Sequence, residues 1–285
     1  MTMESPRERI AAALGVDSVE LAPLAGGCVG EVYRVRLADG GSLVAKLGPP
    51  DGALAVEAWM LGYLTEHTVL PVPEVLHASN SMLLMSHIES GDAITPSAET
   101  HAAELLAALH DVSAPAFGLE RDTVIGGLAQ PNPPSSAWIP FFRDHRLLYM
   151  GREALDAGRL TVEIMVRLER LAGRLDRWLE EPERPSLIHG DMWGGNVLVK
   201  AGRIAGFVDP AIYHADAEIE LAFSTMFTTF GEAFFRRYAE IRPIRPGFFE
   251  IRRDLYNLWP ALVHVRLFGG GYVSSVERTL EILGC

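Results

Sequence analysis

The chain has 285 residues, of which 48% are hydrophobic and 22% are charged, a balance typical of globular proteins and long enough for two lobes. A formal net charge of −12 argues against a protein that binds nucleic acid by neutralising phosphates, although backbone N–H groups can still hold an anionic ligand. No apolar stretch is as long as a membrane span, and the first residues fit an amphipathic helix better than a signal peptide. Two cysteines, Cys28 and Cys285, do not make a disulfide framework. Together, these features predict a soluble cytoplasmic protein without a nucleic-acid or membrane partner.

Residues 1–88 predict a small lobe of antiparallel strands with one long helix. A short helix is expected at 6–14, and alternation with a turn at 39–41 predicts a hairpin over 30–47. Helical periodicity follows at 53–66, and two further strands flank Ser79 and Asn80.

Residues 89–285 predict a larger, mainly helical lobe, so the chain is expected to be an α+β protein of two lobes. A strand–loop–strand unit at 186–209 interrupts the helices, and a loop rich in Gly and Pro spans 112–137. The predicted helices cover 97–111, 138–157, 161–180, 216–226, 231–240, 248–264 and 272–283.

The first hairpin carries the pattern of a nucleotide site. Gly26, Gly27, Cys28 and Gly30 open it, and glycines let a backbone pass close to another group, although such turns are common. Lys46 lies on the next predicted strand and is one of only two lysines among 25 basic residues, the other being Lys200. A solvent-facing strand residue is the alternative for Lys46.

A helix residue and a later loop strengthen the nucleotide interpretation. Glu57 follows Lys46 by eleven residues, and a strand Lys held by a helix Glu is the arrangement by which kinases bind phosphates. The stretch "HGDMWGGN" then keeps the D-x-x-x-x-N spacing of a kinase catalytic loop in Asp191 and Asn196, and Asp209 ends the next strand. A carboxylate can take a proton from an attacking hydroxyl, and Asn and Asp oxygens are ligands for a metal between phosphates.

Two motifs of protein kinases are missing. The chain has His189-Gly190-Asp191 in place of H-R-D, and Asp209-Pro210-Ala211 in place of D-F-G, with no activation segment. The stretch "HGDMWGGN" with a short "VDPA" after it resembles the aminoglycoside phosphotransferase and choline kinase group, which phosphorylates hydroxyls of small molecules.

A closer resemblance is to the fructosamine-3-kinase (ketosamine kinase) family, and its motifs run from residue 26 to 272. They are "GGCVGEVYRV", "QPN", "WIPFFRDHRL", "HGDMWGGNVLV" and "LVHVRLFGGGY". The resemblance implies a protein kinase-like fold and transfer of the ATP γ-phosphate to a sugar hydroxyl of ketosamines, free or bound to protein.

The resemblance also implies roles for individual residues. Asp191 would be the base, Asn196 and Asp209 the Mg²⁺ ligands, and Lys46 with Glu57 would lie at the phosphates. The segment Ser86-His87-Ile88 would hold adenine by backbone hydrogen bonds. Where the family usually has Gly-His-Arg after Tyr213, this chain has Ala215-Asp216-Ala217, so the preferred ketosamine stays open.

Six further residues are candidates for substrate contact. Polar and aromatic residues of long irregular segments often line binding sites. Two of the candidates, Tyr256 and His264, lie instead on one face of a predicted helix, and for both of them a place in the core is the alternative. His189 is expected to fix its loop by hydrogen bonds. The candidates are Trp193, Gln130, Asn132, Trp138, Tyr256 and His264.

Three functions stay open at this point: a ketosamine kinase, a kinase of another small hydroxyl compound such as an aminoglycoside, and an inactive nucleotide-binding module. The acidic charge suits cationic antibiotics as well as ketosamines, so it does not discriminate. The family motifs favour the first function. Retention of Lys46, Asp191, Asn196 and Asp209 argues against the third.

Overall fold

A five-stranded antiparallel sheet and one long helix make up the small lobe of the computed structural model, which describes residues 5–24 and 30–285. The predictions for Gly26, Gly27 and Cys28 lie outside these ranges. The strands follow the order β1-β2-β3-β5-β4. They are β1 Glu20–Pro23, β2 Glu31–Arg36, β3 Ser42–Leu47, β4 Val75–Ser79 and β5 Met82–Ser86, and the helices are α1 Pro6–Leu14 and α2 Leu54–His67.

Alternation along β3 decides where Lys46 points. Ala45 and Leu47 are buried with Ile10 of α1 on one face of the sheet. Successive strand residues face opposite sides, so Lys46 lies on the other face, which α2 covers. Strand β3 pairs with β2 on one side and β5 on the other, and the buried strand position excludes the solvent-facing alternative for Lys46.

The large lobe confirms the α+β class, and it confirms the predicted helices with small shifts of their ends except for the one at 161–180. Helices α4 and α5 are joined by a π-helical turn at Arg143–Leu148, and a second one, Phe248–Arg252, leads into α9. None of the helices described is long and apolar enough to cross a membrane. The helices are α3 Pro96–Asp111, α4 Trp138–Phe142, α5 Tyr149–Asp156, α6 Val162–Ala172, α7 Glu218–Met226, α8 Glu232–Ile241, α9 Arg253–Phe268 and α10 Gly271–Ile282.

The predicted helix over 161–180 is wrong in its extent. Helix α6 ends at Ala172, and the chain continues through Gly173 into a short 3-10 turn at Leu175–Arg177. Glycine loses more conformational freedom than any other residue when its backbone is fixed in a helix. Gly173 therefore favours an end of α6 at this point of the chain.

Short strand pairs frame the segment that carries "HGDMWGGN". Strand β8 (Ser186–Ile188) pairs with β11 (Tyr213–Ala215), and β9 (Val197–Lys200) pairs with β10 (Arg203–Phe207). The two strands on either side of the loop therefore belong to different sheets. This arrangement places the loop and the end of β10 side by side, because both sheets are held by the same large core.

A hairpin lies inside the 112–137 segment, which the sequence predicts only as a specific loop. Its strands are β6 (Thr123–Ile125) and β7 (Leu128–Gln130), and its tip is Gly126-Gly127, both with positive φ. A side chain at Gly126 would come within 2.8 Å of Leu267 on α9, so the turn requires glycine there for two reasons. The hairpin also contacts α2, and so reaches from the large lobe to the small one.

Candidate active site

A cavity of about 320 Å³ lies between the two lobes. Its lining brings together five of the residues singled out in the sequence, from β3, α2, the loop after β8 and the end of β10. The tip of the β6–β7 hairpin closes one side. The five are Lys46, Glu57, Asp191, Trp193 and Asp209.

Lys46 is buried between two carboxylates. Its Nζ lies 2.6 Å from Glu57 Oε1 and also forms an ion pair with Asp209. Burial opposes the ammonium charge, but the attraction of Glu57 and Asp209 outweighs it and raises the pKa of Lys46. The residue therefore presents a fixed positive charge to the cavity, as binding of phosphate groups requires.

Asn196 holds the carboxylate of Asp191 in place. A one-turn 3-10 helix at Gly194–Asn196 brings the Asn196 side chain back over the loop. Its Nδ2 donates to Asp191 Oδ2 at 3.0 Å and to the Asp191 carbonyl at 2.9 Å. Burial raises the pKa of Asp191 to about 7, with smaller contributions from nearby carboxylates and an opposing one from the Asn196 hydrogen bond. Such a value is suited to accepting a proton near neutral pH.

Glu220 of α7 fixes the backbone of the same loop. Its carboxylate accepts hydrogen bonds from Gly190 N at 2.7 Å and His189 N at 3.2 Å, and lies 2.8 Å from His110 Nε2. His110 Nδ1 is in turn 2.7 Å from the hydroxyl of Tyr238. Burial of Glu220 favours its protonated form, but His110 and the loop N–H groups outweigh this and lower its pKa.

Glu220 and His110 are positioning residues that sequence reasoning missed. One signal was present, because Glu220 stands in the otherwise apolar run "IELAF" where a charged side chain needs a partner. His189 is fully buried, as expected for a residue that fixes the loop, and its Nδ1 is 3.4 Å from Asp191 N.

Asp209 takes a left-handed backbone conformation, with φ of 56°, directly after β10. Such a conformation is costly for most residues other than Gly, Asn and Asp, and it turns the chain sharply at the cavity. Val208 N donates to Asn196 O at 3.1 Å, so Asn196 and Asp209 are held next to each other.

These two residues fit the chemistry of a magnesium site. The Nδ2 of Asn196 is engaged by Asp191, which leaves its Oδ1 as the oxygen without a protein donor among the described residues. Mg²⁺ is typically bound by one or two protein oxygens together with substrate phosphates rather than by a complete protein cage. Accordingly, no group of three or more His, Cys, Asp or Glu side chains suited to a metal occurs in residues 5–24 and 30–285.

Gln130 and Asn132 lie in the core, where the structure gives them structural contacts. Gln130 Nε2 donates to Ala211 O at 3.0 Å and to Thr123 Oγ1 at 2.8 Å. Asn132 Nδ2 also donates to Thr123, and its Oδ1 accepts a 2.6 Å hydrogen bond from the buried Arg146. Gln130 thus ties the hairpin to the turn that carries Asp209, while Asn132 ties the 112–137 segment to itself and to Arg146.

Trp138 and Tyr256 are likewise fully buried. Trp138 Nε1 donates to the Tyr256 hydroxyl at 2.9 Å, and that hydroxyl donates to Asp216 Oδ2 at 2.8 Å. Arg245 neutralises Asp216 by an ion pair. These internal hydrogen bonds do not favour a direct contact with substrate. Such a contact therefore stays a prediction for four of the candidates: Gln130, Asn132, Trp138 and Tyr256.

Trp193 and His264 are more accessible. Trp193 is 37% exposed and lines the cavity two residues after Asp191. His264 is half-buried on α9, and its Nδ1 is 2.7 Å from the carbonyl of Pro260. Phe227 lies between the two, 6.2 Å from the Trp193 ring and 5.2 Å from the His264 ring.

The segment Ser86-His87-Ile88 joins the two lobes. Ser86 pairs with the backbone of Glu74, and the Ile88 side chain packs against Gly206 on β10. This is the position expected of the residues that hold adenine, and the adenine contact itself stays a prediction.

Comparison with known proteins decides the family, because residues 3–283 match the family model described as fructosamine kinase. The chain belongs to the fructosamine kinase family. As a member of this family it is a phosphotransferase whose acceptor is a hydroxyl group. The closer of the two resemblances found in the sequence is thereby confirmed.

Two relatives and two crystal structures give the extent of the similarity. A protein of Synechocystis sp. assigned as a ketoamine kinase is 34% identical, over 80% of this chain and 76% of its own. A chloroplastic protein-ribulosamine 3-kinase of Arabidopsis thaliana is 30% identical, over 92% of this chain and 82% of its own. A Thermobifida fusca protein assigned as a fructosamine-3-kinase superposes with a TM-score of 0.85 at 33% identity, covering 98% of both chains.

The second crystal structure is that of a more distant kinase. A thermostable variant of an aminoglycoside phosphotransferase, in complex with AMP-PNP and hygromycin B, gives a TM-score of 0.68 at 17% identity and covers 99% of both chains. At that identity the match shows the fold alone. It confirms the predicted protein kinase-like architecture for this fructosamine kinase family member.

Proposed function

We propose that this chain transfers the γ-phosphate of ATP to a sugar hydroxyl of a ketosamine, with Asp191 as the base. One observation carries the proposal: Lys46 and Glu57 from the small lobe meet Asp191 and Asp209 from the large lobe in one cavity. Family membership and the names of the ketoamine and ribulosamine kinase relatives support a ketosamine as the acceptor.

Asp191 orients the attacking hydroxyl in this proposal. Asp191 Oδ2 accepts a hydrogen bond from Asn196 Nδ2, which leaves Asp191 Oδ1 to accept the hydrogen bond of the substrate hydroxyl. As the hydroxyl oxygen bonds to the γ-phosphorus, the bond from that phosphorus to the bridging oxygen breaks and ADP leaves. The hydroxyl proton passes to Asp191, whose burial keeps its pKa near that of a useful base.

Lys46 binds phosphate oxygens of ATP, and Glu57 fixes the direction of the Lys46 side chain. We further propose that Asn196 Oδ1 and Asp209 hold Mg²⁺. When bound, Mg²⁺ would supply positive charge that offsets the negative charge of the phosphates.

The test is an ATP-consumption assay of the purified protein with ribulosyl-lysine, fructosyl-lysine, erythrulosyl-lysine and a panel of aminoglycosides, in the presence of MgCl₂. We expect turnover with at least one ketosamine and none with the antibiotics, and ³¹P NMR of the product should show a phosphate ester on the sugar. Asp191→Asn is the control for contaminating kinases. Turnover of aminoglycosides alone would refute the proposal.

A further inference from the structure

Four aromatic side chains form an exposed strip on the large lobe, which we call the aromatic shelf: Phe227, His264, Phe268 and Tyr272. The ring of His264 lies 5.2 Å from that of Phe227, 5.6 Å from that of Phe268 and 4.8 Å from that of Tyr272. Phe227 and Phe268 are 38% and 49% exposed, while His264 and Tyr272 are half-buried, so the strip lies at the edge of the core with its two phenylalanines open to solvent. Rings that pack against one another at the surface offer a continuous, largely apolar face to a ligand.

The shelf begins at the mouth of the active-site cavity. Phe227 is in contact with Trp193, which lines the cavity two residues from the catalytic carboxylate. This contact makes the shelf continuous with the site of phosphate transfer.

The chemistry of the shelf fits an apolar chain with occasional amide groups. Burial lowers the pKa of His264 and so favours its uncharged ring, which keeps the strip free of a positive charge. Its Nδ1 bonds to Pro260 O, and no group of the described residues donates to its Nε2, which is free to accept a hydrogen bond. Ligand sites commonly combine such apolar walls with a few polar atoms that fix orientation.

We propose that the aromatic shelf binds the amine carrier of the ketosamine, with the methylene chain and peptide backbone of a modified lysine lying along its rings. The inference rests on the proposed ketosamine kinase activity. A ketosamine joins a sugar, whose hydroxyl must reach Asp191, to a carrier that extends away from it. The shelf lies where the carrier leaves the cavity, so it recognises the carrier and leaves the sugar to the cavity.

The test compares two acceptors with one sugar and different carriers: ribulosyl-methylamine, and a hexapeptide whose lysine carries ribulose on Nε. Phe268→Ala should raise KM for the hexapeptide by roughly two- to tenfold, the usual effect of one aromatic contact. It should leave kcat for the hexapeptide and both constants for ribulosyl-methylamine unchanged. Phe227→Ala is a second variant of the same shelf and should behave alike.

Phe249→Ala is the matched control, because Phe249 is an equally exposed phenylalanine of the same lobe that packs on Phe235 and Phe248, away from the cavity. It should change neither acceptor. Unchanged hexapeptide KM in both shelf variants, or equal losses for the two acceptors, would overturn the inference while the activity stands. If the wild-type protein turns over a ketosamine of another sugar but not these, the two acceptors are prepared with that sugar; failure to phosphorylate any ketosamine would instead overturn the proposed function and the shelf with it.

Discussion

At the scale of single residues, Asp191 combines burial with a single fixed hydrogen bond from Asn196. We predict that Asp191→Asn lowers kcat by about 10²–10⁴-fold, the usual value of general-base assistance, because an amide cannot accept the proton. ATP affinity, measured by isothermal titration calorimetry, should stay close to that of the wild type. A variant that keeps more than a tenth of wild-type kcat would exclude Asp191 as the base.

Lys46 allows a sharper test, since the chain uses Arg at almost every other basic position. We predict that Lys46→Arg strongly weakens ATP binding although the charge is preserved. The ammonium fits between Glu57 and Asp209 in a buried position, whereas a planar guanidinium is larger and needs a different set of acceptors. Lys200→Arg is the control, because Lys200 is exposed at the end of β9 and forms an ion pair with Glu89 outside the cavity. Wild-type kinetics in Lys46→Arg would reduce Lys46 to a structural residue.

At the scale of elements, the β6–β7 hairpin is linked to the turn that carries Asp209. We predict that Gln130→Leu lowers the free energy of unfolding by about 1–3 kcal/mol, because the buried carbonyl of Ala211 loses the hydrogen bond that Gln130 donates. It should also raise the Mg²⁺ concentration needed for half-maximal activity, since the turn before Ala211 is released. Urea denaturation and a MgCl₂ titration of activity measure the two effects.

Asn132→Leu separates these effects. It removes buried hydrogen bonds from the same segment but none to the Asp209 turn, so it should lower stability without changing the Mg²⁺ dependence. If both variants shift the Mg²⁺ dependence equally, the Gln130 link has no special role.

Elements with strong local patterns could be predicted from the sequence. The helix at Pro6–Leu14 has a Ser5–Glu8 capping box, and the β2–β3 hairpin has Asp39-Gly40-Gly41 at its turn, so local chemistry determines both. The β6–β7 hairpin was missed because its strands are three residues long and depend on long-range contacts of Thr123 and Gln130 with the segment at 211–212.

The same division applies to the site. Lys46, Glu57, Asp191 and Asp209 could be placed together because kinase-like spacing carries their chemistry, and the cavity contains all four. The roles of Gln130 and Trp138 could not be predicted, because a polar residue in a long loop has the same sequence signal whether it faces a ligand or a buried carbonyl. Only the packed structure distinguishes the two cases.

At the scale of the whole molecule, the hairpin connects the lobes, since Arg121 at its base lies 4.8 Å above the ring of Trp59 on α2. We predict that Arg121→Ala raises KM for ATP by roughly two- to fivefold, as expected from losing about 0.5–1 kcal/mol of cation–π attraction that helps hold α2 and Glu57. Hydrogen exchange of α2 should increase in parallel. Arg236→Ala, which removes only an exposed pair with Glu232, should change neither quantity.

The contacts of Glu220 have a consequence for how the molecule opens. Its carboxylate binds the amides of His189 and Gly190 and also His110 on α3, while His110 reaches Tyr238 on α8. All these groups are buried in one core, so the amides of the catalytic loop cannot reach solvent by local fraying. In native-state hydrogen exchange, Gly190 should therefore exchange at the slow rate of global unfolding, unlike most loop amides. The start of the catalytic loop, next to the base, is expected to be among the last parts of the protein to lose protection.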